Sequence, residues 1–342
     1  MAKKLYTPIL KYKQGERLAV QDLSDTVKQR LLPLFCIMEL KNPGDLVNSL
    51  LRTWGKDLPF FIDFHPAATG TRDKYINVFF VLAKEQELSA IPVIQAHYDK
   101  TYIKAIKKAG ALIKSGYALR ITDPDVDDLI EVLDMVHEVV GVRDKDLDVI
   151  IDLGHLPRSS TITKAYSTIA NNLLSVLNPS KFRNVIAAGG SFPEALTGIP
   201  KNQISELQRN EWMIWEEVHK KHRSVLFGDY GIDDPNIAQG DRFTIVPTIR
   251  YTSGDSWFIV RGEYDPKQPY DFTQFHRLSK VLVRSKLYCG PAFSWGDNRI
   301  KECADRTCTG SDHCNHGNLS SWVRISTNHH LTYVVNQLSS LF

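Results

Sequence analysis

LPFFIDFH, residues 58–65, is apolar at consecutive positions and then ends in ionisable side chains, Asp63 and His65. A half-exposed strand alternates apolar and polar residues, whereas a strand covered on both faces reads as a nearly continuous apolar run. Seven further runs share this character: LYTPILKYK (5–13), LLPLFCIME (31–39), AIPVIQAH (90–97), GYALRIT (116–122), LDVIIDLGH (147–155), RNVIAAGGS (183–191) and SVLFGDY (224–230). A stretch of helical spacing fills each gap between the first run and the seventh. Alternating strands and helices imply parallel strands joined by helical crossovers, and eight such strands close a barrel. The expected fold is therefore α/β, a (β/α)8 TIM-like barrel with a C-terminal hairpin, loop and helix extension. Residues 1–342 are read as a single domain, with a barrel core over 1–235 and a decoration over 236–342 packed on it.

Local signals mark the connecting helices. Asn42-Pro43 is a cap followed by a first-turn proline, and Ser24 precedes an apolar 3–4 spacing within 20–32. Helices are expected over 42–55, 74–90, 100–116, 125–141 and 159–179, several of them stopping at glycine or at Asn178-Pro179. After Ser191 the rhythm breaks. The stretch 192–223 reads as an excursion with a helix at its end, and TIVPTIRYT-SGD-SWFIVRGE reads as a β-hairpin. Residues 270–285 are expected to be helical, 288–321 an ordered loop, and the tail TNHHLTYVVNQLSSLF a helix.

The chain has 342 residues, 43% of them hydrophobic and 24% charged, with a net charge of +3. Such a composition suits a sizeable core, and the charge is too mild to argue nucleic-acid binding by itself. No apolar run approaches the ~20 residues that span a bilayer. Five cysteines fit a reducing compartment better than a disulfide framework, so a cytoplasmic protein is expected.

In a barrel of this type the carboxyl ends of the strands face the active site. Alternation places Asp63 with Phe61, Arg120 with Ala118, Asp152 with Ile150 and Asp229 with Phe227, which predicts four ionisable groups in one mouth. With His65 these are the candidate catalytic residues. Lys11, Lys13, Glu39, Gln95, His97, His155 and Ser191 are candidate substrate-binding residues. Carboxylates, imidazoles and cations together can hold a divalent metal, neutralise a phosphate and activate water. Asp63, Arg120, Asp152 and Asp229 could equally form an interior ion-pair network that only satisfies itself. Cys303, Cys308, Cys314 and His316 (or His313) cluster in one loop and are a candidate structural zinc set; reduced cysteines in a polar loop are the alternative.

The opening YTPILKYKQGERLAVQDLSDTVKQRLLPLFCIME, the strand end IDFHP and the ending SSWVRISTNHHLTYVVNQL resemble the beta protein family of satellite phages and prophage-like islands. The resemblance runs from Tyr6 to Leu338. It implies an association with the exclusion of competing phages and supplies no catalytic residues. Lys11, Lys13, Glu16, Trp322, Asn328, His329 and His330 are its motif positions. Two functions follow as expectations: a hydrolase of a phosphorylated or nucleotide-like substrate, or a non-catalytic barrel that binds a phage or host protein, or nucleic acid, within a defence module.

Overall fold

The computed structural model describes residues 3–65, 72–236, 246–269, 271–307 and 316–341. By its internal contacts the chain divides into two units, one of residues 1–12, 29–190 and 210–230, the other of 13–28, 191–209 and 231–342.

The first unit is a closed barrel of eight parallel strands, β1 (Tyr6–Leu10), β2 (Leu34–Ile37), β3 (Phe60–Phe64), β4 (Ala90–Ile94), β5 (Tyr117–Ile121), β6 (Leu147–His155), β7 (Asn184–Gly190) and β9 (Leu226–Asp229). All eight apolar runs supply a strand. The ring closes where Thr7 of β1 pairs with Gly228 of β9. Between the strands come α3 (Pro43–Thr53), α4 (Arg72–Glu85), α5 (Lys100–Ile113), α6 (Leu129–Val140), α7 (Ser160–Leu177) and α8 (Asn210–Lys221). Asn42 caps α3 as its sequence predicts, its side chain accepting the Gly44 and Asp45 N–H groups, and Gly141 ends α6 at φ +77°.

Every strand has two buried faces, which is why its sequence hardly alternates. Inward-facing Ile9, Leu34, Phe61, Val93, Ala118, Ile150 and Ile186 fill the barrel. Outward-facing Phe64 meets Phe79 and Phe80 of α4, and Phe227 packs edge-on to Trp212 and Trp215 of α8. Gly228 points inward at a tight place. A Cβ there would lie 2.8 Å from that of Ala188, so only glycine fits without repacking.

The second unit holds a three-stranded antiparallel sheet in the order β10 (Thr248–Ser253), β11 (Ser256–Arg261), β8 (Ile204–Gln208). The expected hairpin forms, with Ser253 opposite Ser256 and Gly254 at φ +60° in the two-residue turn. Strand β8 lies inside the excursion that read only as loop and helix. It is a short edge strand, largely unburied, and its pairing with β11 is non-local, so no local pattern announces it. The unit's helices are α1 (Gln14–Gln21), α9 (Gln274–Val283), α10 (Trp295–Asp305) and α11 (Leu319–Ser339). Helix α2 (Asp25–Arg30) runs from this unit into the barrel unit. Part of the expected loop 288–321 is thus a helix, α10. Its start is capped by Ser294, which accepts the Asp297 N–H at 3.0 Å. Helix α1 likewise lies outside the helices expected from sequence. Ile249, Tyr251, Phe275, Leu278, Ile300, Trp322 and Ile325 form the core of this unit.

Candidate functional site at the mouth of the barrel

Three of the four predicted mouth residues meet. Arg120 on β5 donates Nη1 to Asp63 Oδ2 on β3 at 2.7 Å and both Nε and Nη2 to Asp152 Oδ2 on β6, at 2.9 and 2.6 Å. All three are buried. Arg120 also donates to the hydroxyl of Tyr230, just past β9, at 2.8 Å and approaches Cys36 Sγ on β2 at 3.8 Å. Tyr230 in turn donates to Asp152 Oδ2 at 2.6 Å. Gln95 Nε2 donates to Asp63 Oδ2 and to the Tyr98 hydroxyl, each at 2.6 Å. Burial alone would push the Arg120 guanidinium down. The surrounding Tyr230, Asp152, Cys36 and Asp63 outweigh it and hold the group firmly charged.

The formal charge of this cluster is −1, one guanidinium against two carboxylates. Its hydrogen bonding is also incomplete: Asp63 Oδ1 is buried and receives no donor among the described residues. At the same end of the barrel lies Arg72, the first residue of α4, whose guanidinium stands 5.1 Å from the ring centre of Tyr98 and 4.6 Å from that of Tyr102. Arg72 Nη2 binds Asp99 Oδ2 at 2.5 Å, while its buried Nη1 finds no acceptor among the described residues. Half-buried His65 is held towards its neutral form, chiefly by burial, with Asp63 pulling the other way.

Asp229 corrects the expectation of four groups in one mouth. It shares a strand face with Phe227, as alternation requires, but on β9 that face is the one turned to α8; its Oδ1 accepts the hydroxyl of Tyr6, which stacks on Phe227. The inward positions of β9 belong to Gly228 and Tyr230. Parity within a strand can be read from sequence; which parity faces the barrel axis depends on closure. Tyr230, Cys36, Tyr98 and Arg72 are the mouth residues that sequence reasoning missed. Tyr230 had one signal, its i+2 spacing from a glycine in an otherwise bulky strand.

The remaining candidates scatter. Glu39 is exposed and paired with Lys41 at 2.8 Å. His97 Nδ1 lies 3.4 Å from Asp125 Oδ2, a carboxylate that also accepts the Thr122 N–H at 3.1 Å. His155 follows a bulge in β6 at Gly154 (φ +60°), whose N–H binds Asp152 Oδ1 at 3.0 Å. Lys11 is half-buried just after β1. Lys13 and Ser191 belong to the second unit. There Lys13 opens α1, its N–H on Glu16 Oε2 at 3.2 Å, and Ser191 Oγ donates to the Gln208 carbonyl at 3.4 Å. Gly189 and Gly190, a pair that in sequence suits either a phosphate-binding backbone or a tight turn, are taken up by strand β7, the Gly190 carbonyl accepting the Leu156 N–H at 2.8 Å.

Of the candidate zinc set, Cys308, His313 and Cys314 lie outside the described residues. Cys303 and His316 both neighbour His276, which the sequence did not single out. Cys303 Sγ is 3.7 Å from His276 Nδ1, and the two imidazole rings are 6.1 Å apart. Among the described residues no three His, Cys, Asp or Glu side chains are grouped to hold a metal ion.

The C-terminal motif residues are buried in the second unit, where they tie α11 to its neighbours. Asn328 donates to the Ala19 carbonyl at 3.0 Å and accepts the Gly296 N–H at 2.9 Å. His329 offers Nδ1 to Asp297 Oδ2 and Nε2 to the Thr252 carbonyl, both at 2.8 Å. A carbonyl only accepts, so Nε2 carries a hydrogen; opposite an ionised Asp297, Nδ1 carries one too. Tyr251 stacks on His329 at 3.7 Å and donates to Asp297 Oδ1 at 2.7 Å. Burial pushes the Asp297 carboxyl up, but His329, Ser294 and Tyr251 together more than offset it and hold it below its ordinary value. His330 faces Thr252 Oγ1 at 2.7 Å, and Trp322 stacks on Phe275.

Among solved structures the chain is similar to triosephosphate isomerase from Bartonella henselae, at 9% identity and a TM-score of 0.36, over 66% of this chain and 92% of that one. It is also similar to the YdjI aldolase from Escherichia coli K12, at 9% identity and a TM-score of 0.32, over 98% and 91% of the two chains. Neither likeness bears on activity. The comparison with curated proteins gave no match. The model of the family described as Beta protein matches residues 6–336, nearly the whole length, and on that match the chain belongs to the Beta protein family.

Proposed function

We propose that the barrel is a recognition module that acts in phage exclusion in the cytoplasm, and that its mouth binds a polypeptide partner rather than hydrolysing a phosphoester. The observation that carries this reading is the engagement of Arg120 by two carboxylates. A phosphate entering the mouth would meet a cluster of formal charge −1 with its cation already taken. Among the described residues the mouth offers no donor to Asp63 Oδ1 and no acceptor to Arg72 Nη1. An amide group brings both. The mild net charge disfavours nucleic acid as the partner. No helix among the described residues is long and apolar enough to cross a membrane.

One observation favours a second reading, an enzyme acting on a phosphorylated or nucleotide-like substrate with a divalent metal. His65, held towards neutrality beside Asp63, has the character of a general base. One experiment separates the two. Phosphate release from ATP and from bis(p-nitrophenyl) phosphate is measured with Mg2+, Mn2+ and Zn2+, and phage plating is scored on cells expressing the wild type or Arg72→Met. The recognition reading expects no release above background, and loss of exclusion in Arg72→Met with an unchanged melting temperature. Metal-stimulated release that disappears in Asp63→Asn would overturn it in favour of the hydrolase.

A further inference from the structure

At the other end of the barrel the residues just before the strands surround a cavity of about 420 Å3, lined by Lys4, Leu32, Leu88, Ile91, Ile113 and Arg183 among others. Ligand pockets typically begin at ~300 Å3, so there is room for a small organic molecule. Most of the polar groups in the cavity wall have partners in the protein; two further charged residues line it, Lys84 and Glu87, the latter paired with Lys56 at 2.8 Å. Arg183 donates Nε and Nη2 to the two oxygens of Asp148 at 2.9 and 2.5 Å and Nη1 to the Ser115 carbonyl at 2.7 Å; Asn184 adds a bond to Asp148 Oδ1 at 2.8 Å. Ser115 and Ser89 donate to the carbonyls of Ala90 and Lys56.

Lys4 differs. It is half-buried, and no carboxylate among the described residues lies within ion-pairing distance of it. Burial pushes its pKa down to about 8, with no neighbouring charge to hold it up. A half-buried ammonium without a counter-charge is disfavoured, and an anion placed beside it would relieve that. The same cavity is also lined by the aliphatic side chains of Leu32, Leu88, Ile91 and Ile113. We propose that the amino-terminal end of the barrel is a binding site for a small organic anion, with Lys4 as counter-charge and the aliphatic wall holding the apolar body of the ligand. The site shares no residue with the mouth and stands or falls separately from the function proposed there.

The test uses the full chain carrying isotope-labelled lysine, with the Lys4 resonance identified by its absence from Lys4→Met. Octanoate serves as the amphiphilic probe and inorganic phosphate as the probe of charge alone. Octanoate should bind, move the Lys4 titration upward, and bind more weakly as pH rises through the Lys4 midpoint. Its affinity should fall by roughly tenfold or more in Lys4→Met, the loss expected for one charge-assisted contact, and be largely retained in Lys4→Arg. Phosphate should bind more weakly than octanoate, because it leaves the aliphatic wall uncovered. Filling the cavity by Ile113→Trp should abolish octanoate binding with Lys4 intact. An octanoate titration that leaves Lys4 unmoved, equal affinity in Lys4→Met, or phosphate binding as tightly as octanoate would each overturn the proposal.

Discussion

Each unit of this protein buries a polar network in its interior, and the two are finished differently. In the second unit Asp297 is enclosed: Tyr251 donates to one oxygen, His329 and Ser294 to the other, and the far side of His329 is closed by the Thr252 carbonyl. In the barrel one guanidinium serves two carboxylates, and a buried oxygen of Asp63 is left without a donor among the described residues. A buried network with every group satisfied fixes a unique packing, whereas one with a remaining demand costs stability unless something else meets it. The motif residues Asn328 and His329 therefore read as staples. The mouth, built of equally buried groups, is where a ligand has something to add.

The largest effect should come from removing the shared cation. Arg120→Met leaves two buried carboxylates uncompensated and should cost about 3–5 kcal/mol, read as a lowered midpoint in denaturant melts. A loss under ~1 kcal/mol would mean the carboxylates are less confined than their burial indicates. Next is Asp297→Asn, which keeps an acceptor for Tyr251 but removes the counter-charge of His329. A loss of roughly 1–3 kcal/mol is expected, with hydrogen exchange rising first in α10, α11 and β10. Exchange rising in the barrel strands instead would break the assignment of that network to its own unit.

Asp63→Asn should be the mildest of the three, within about 1 kcal/mol of wild type, because Arg120 and Asp152 remain as a balanced pair. If Asp63→Asn were as damaging as Arg120→Met, the excess of negative charge in the mouth would be no excess at all. The smallest effects are those of pH. The folded Asp297 titrates below its reference value of 3.8, so its contribution is complete above about that value and is lost as pH falls through the lower, folded pKa. Lys4 titrates at about 8 in the fold against 10.5 unfolded. Between those values the unfolded chain binds more protons, so stability should rise with pH there, and that rise should vanish in Lys4→Met.

The barrel itself was legible because its evidence is local and repeated. A run such as LPFFIDFH needs only its own composition to declare a doubly covered strand, and eight such runs with helices between them leave one economical closure. Alternation within single strands also sufficed to put Asp63, Arg120 and Asp152 on the faces of Phe61, Ala118 and Ile150. The hairpin turn at Gly254 and the cap at Asn42 were readable for the same reason, each being a matter of a few neighbouring residues.

What needed the tertiary structure was every relation set by distant partners. Whether Asp229 or Tyr230 enters the barrel depends on how β9 meets β1, since closure selects which of two parities faces the axis. Strand β8 exists because β11, some 50 residues later in the chain, offers an edge to it. The balance of one guanidinium against two carboxylates emerges only when β3, β5 and β6 are side by side, and the cavity that holds Lys4 only when the strand starts surround it. Sequence by itself determined the eight barrel strands, the helices between them and the hairpin turn, and which side chains share a strand face, because those depend on neighbours along the chain. Charge balance, burial and unmet hydrogen bonds depend on neighbours in space, and the folded structure alone decided them.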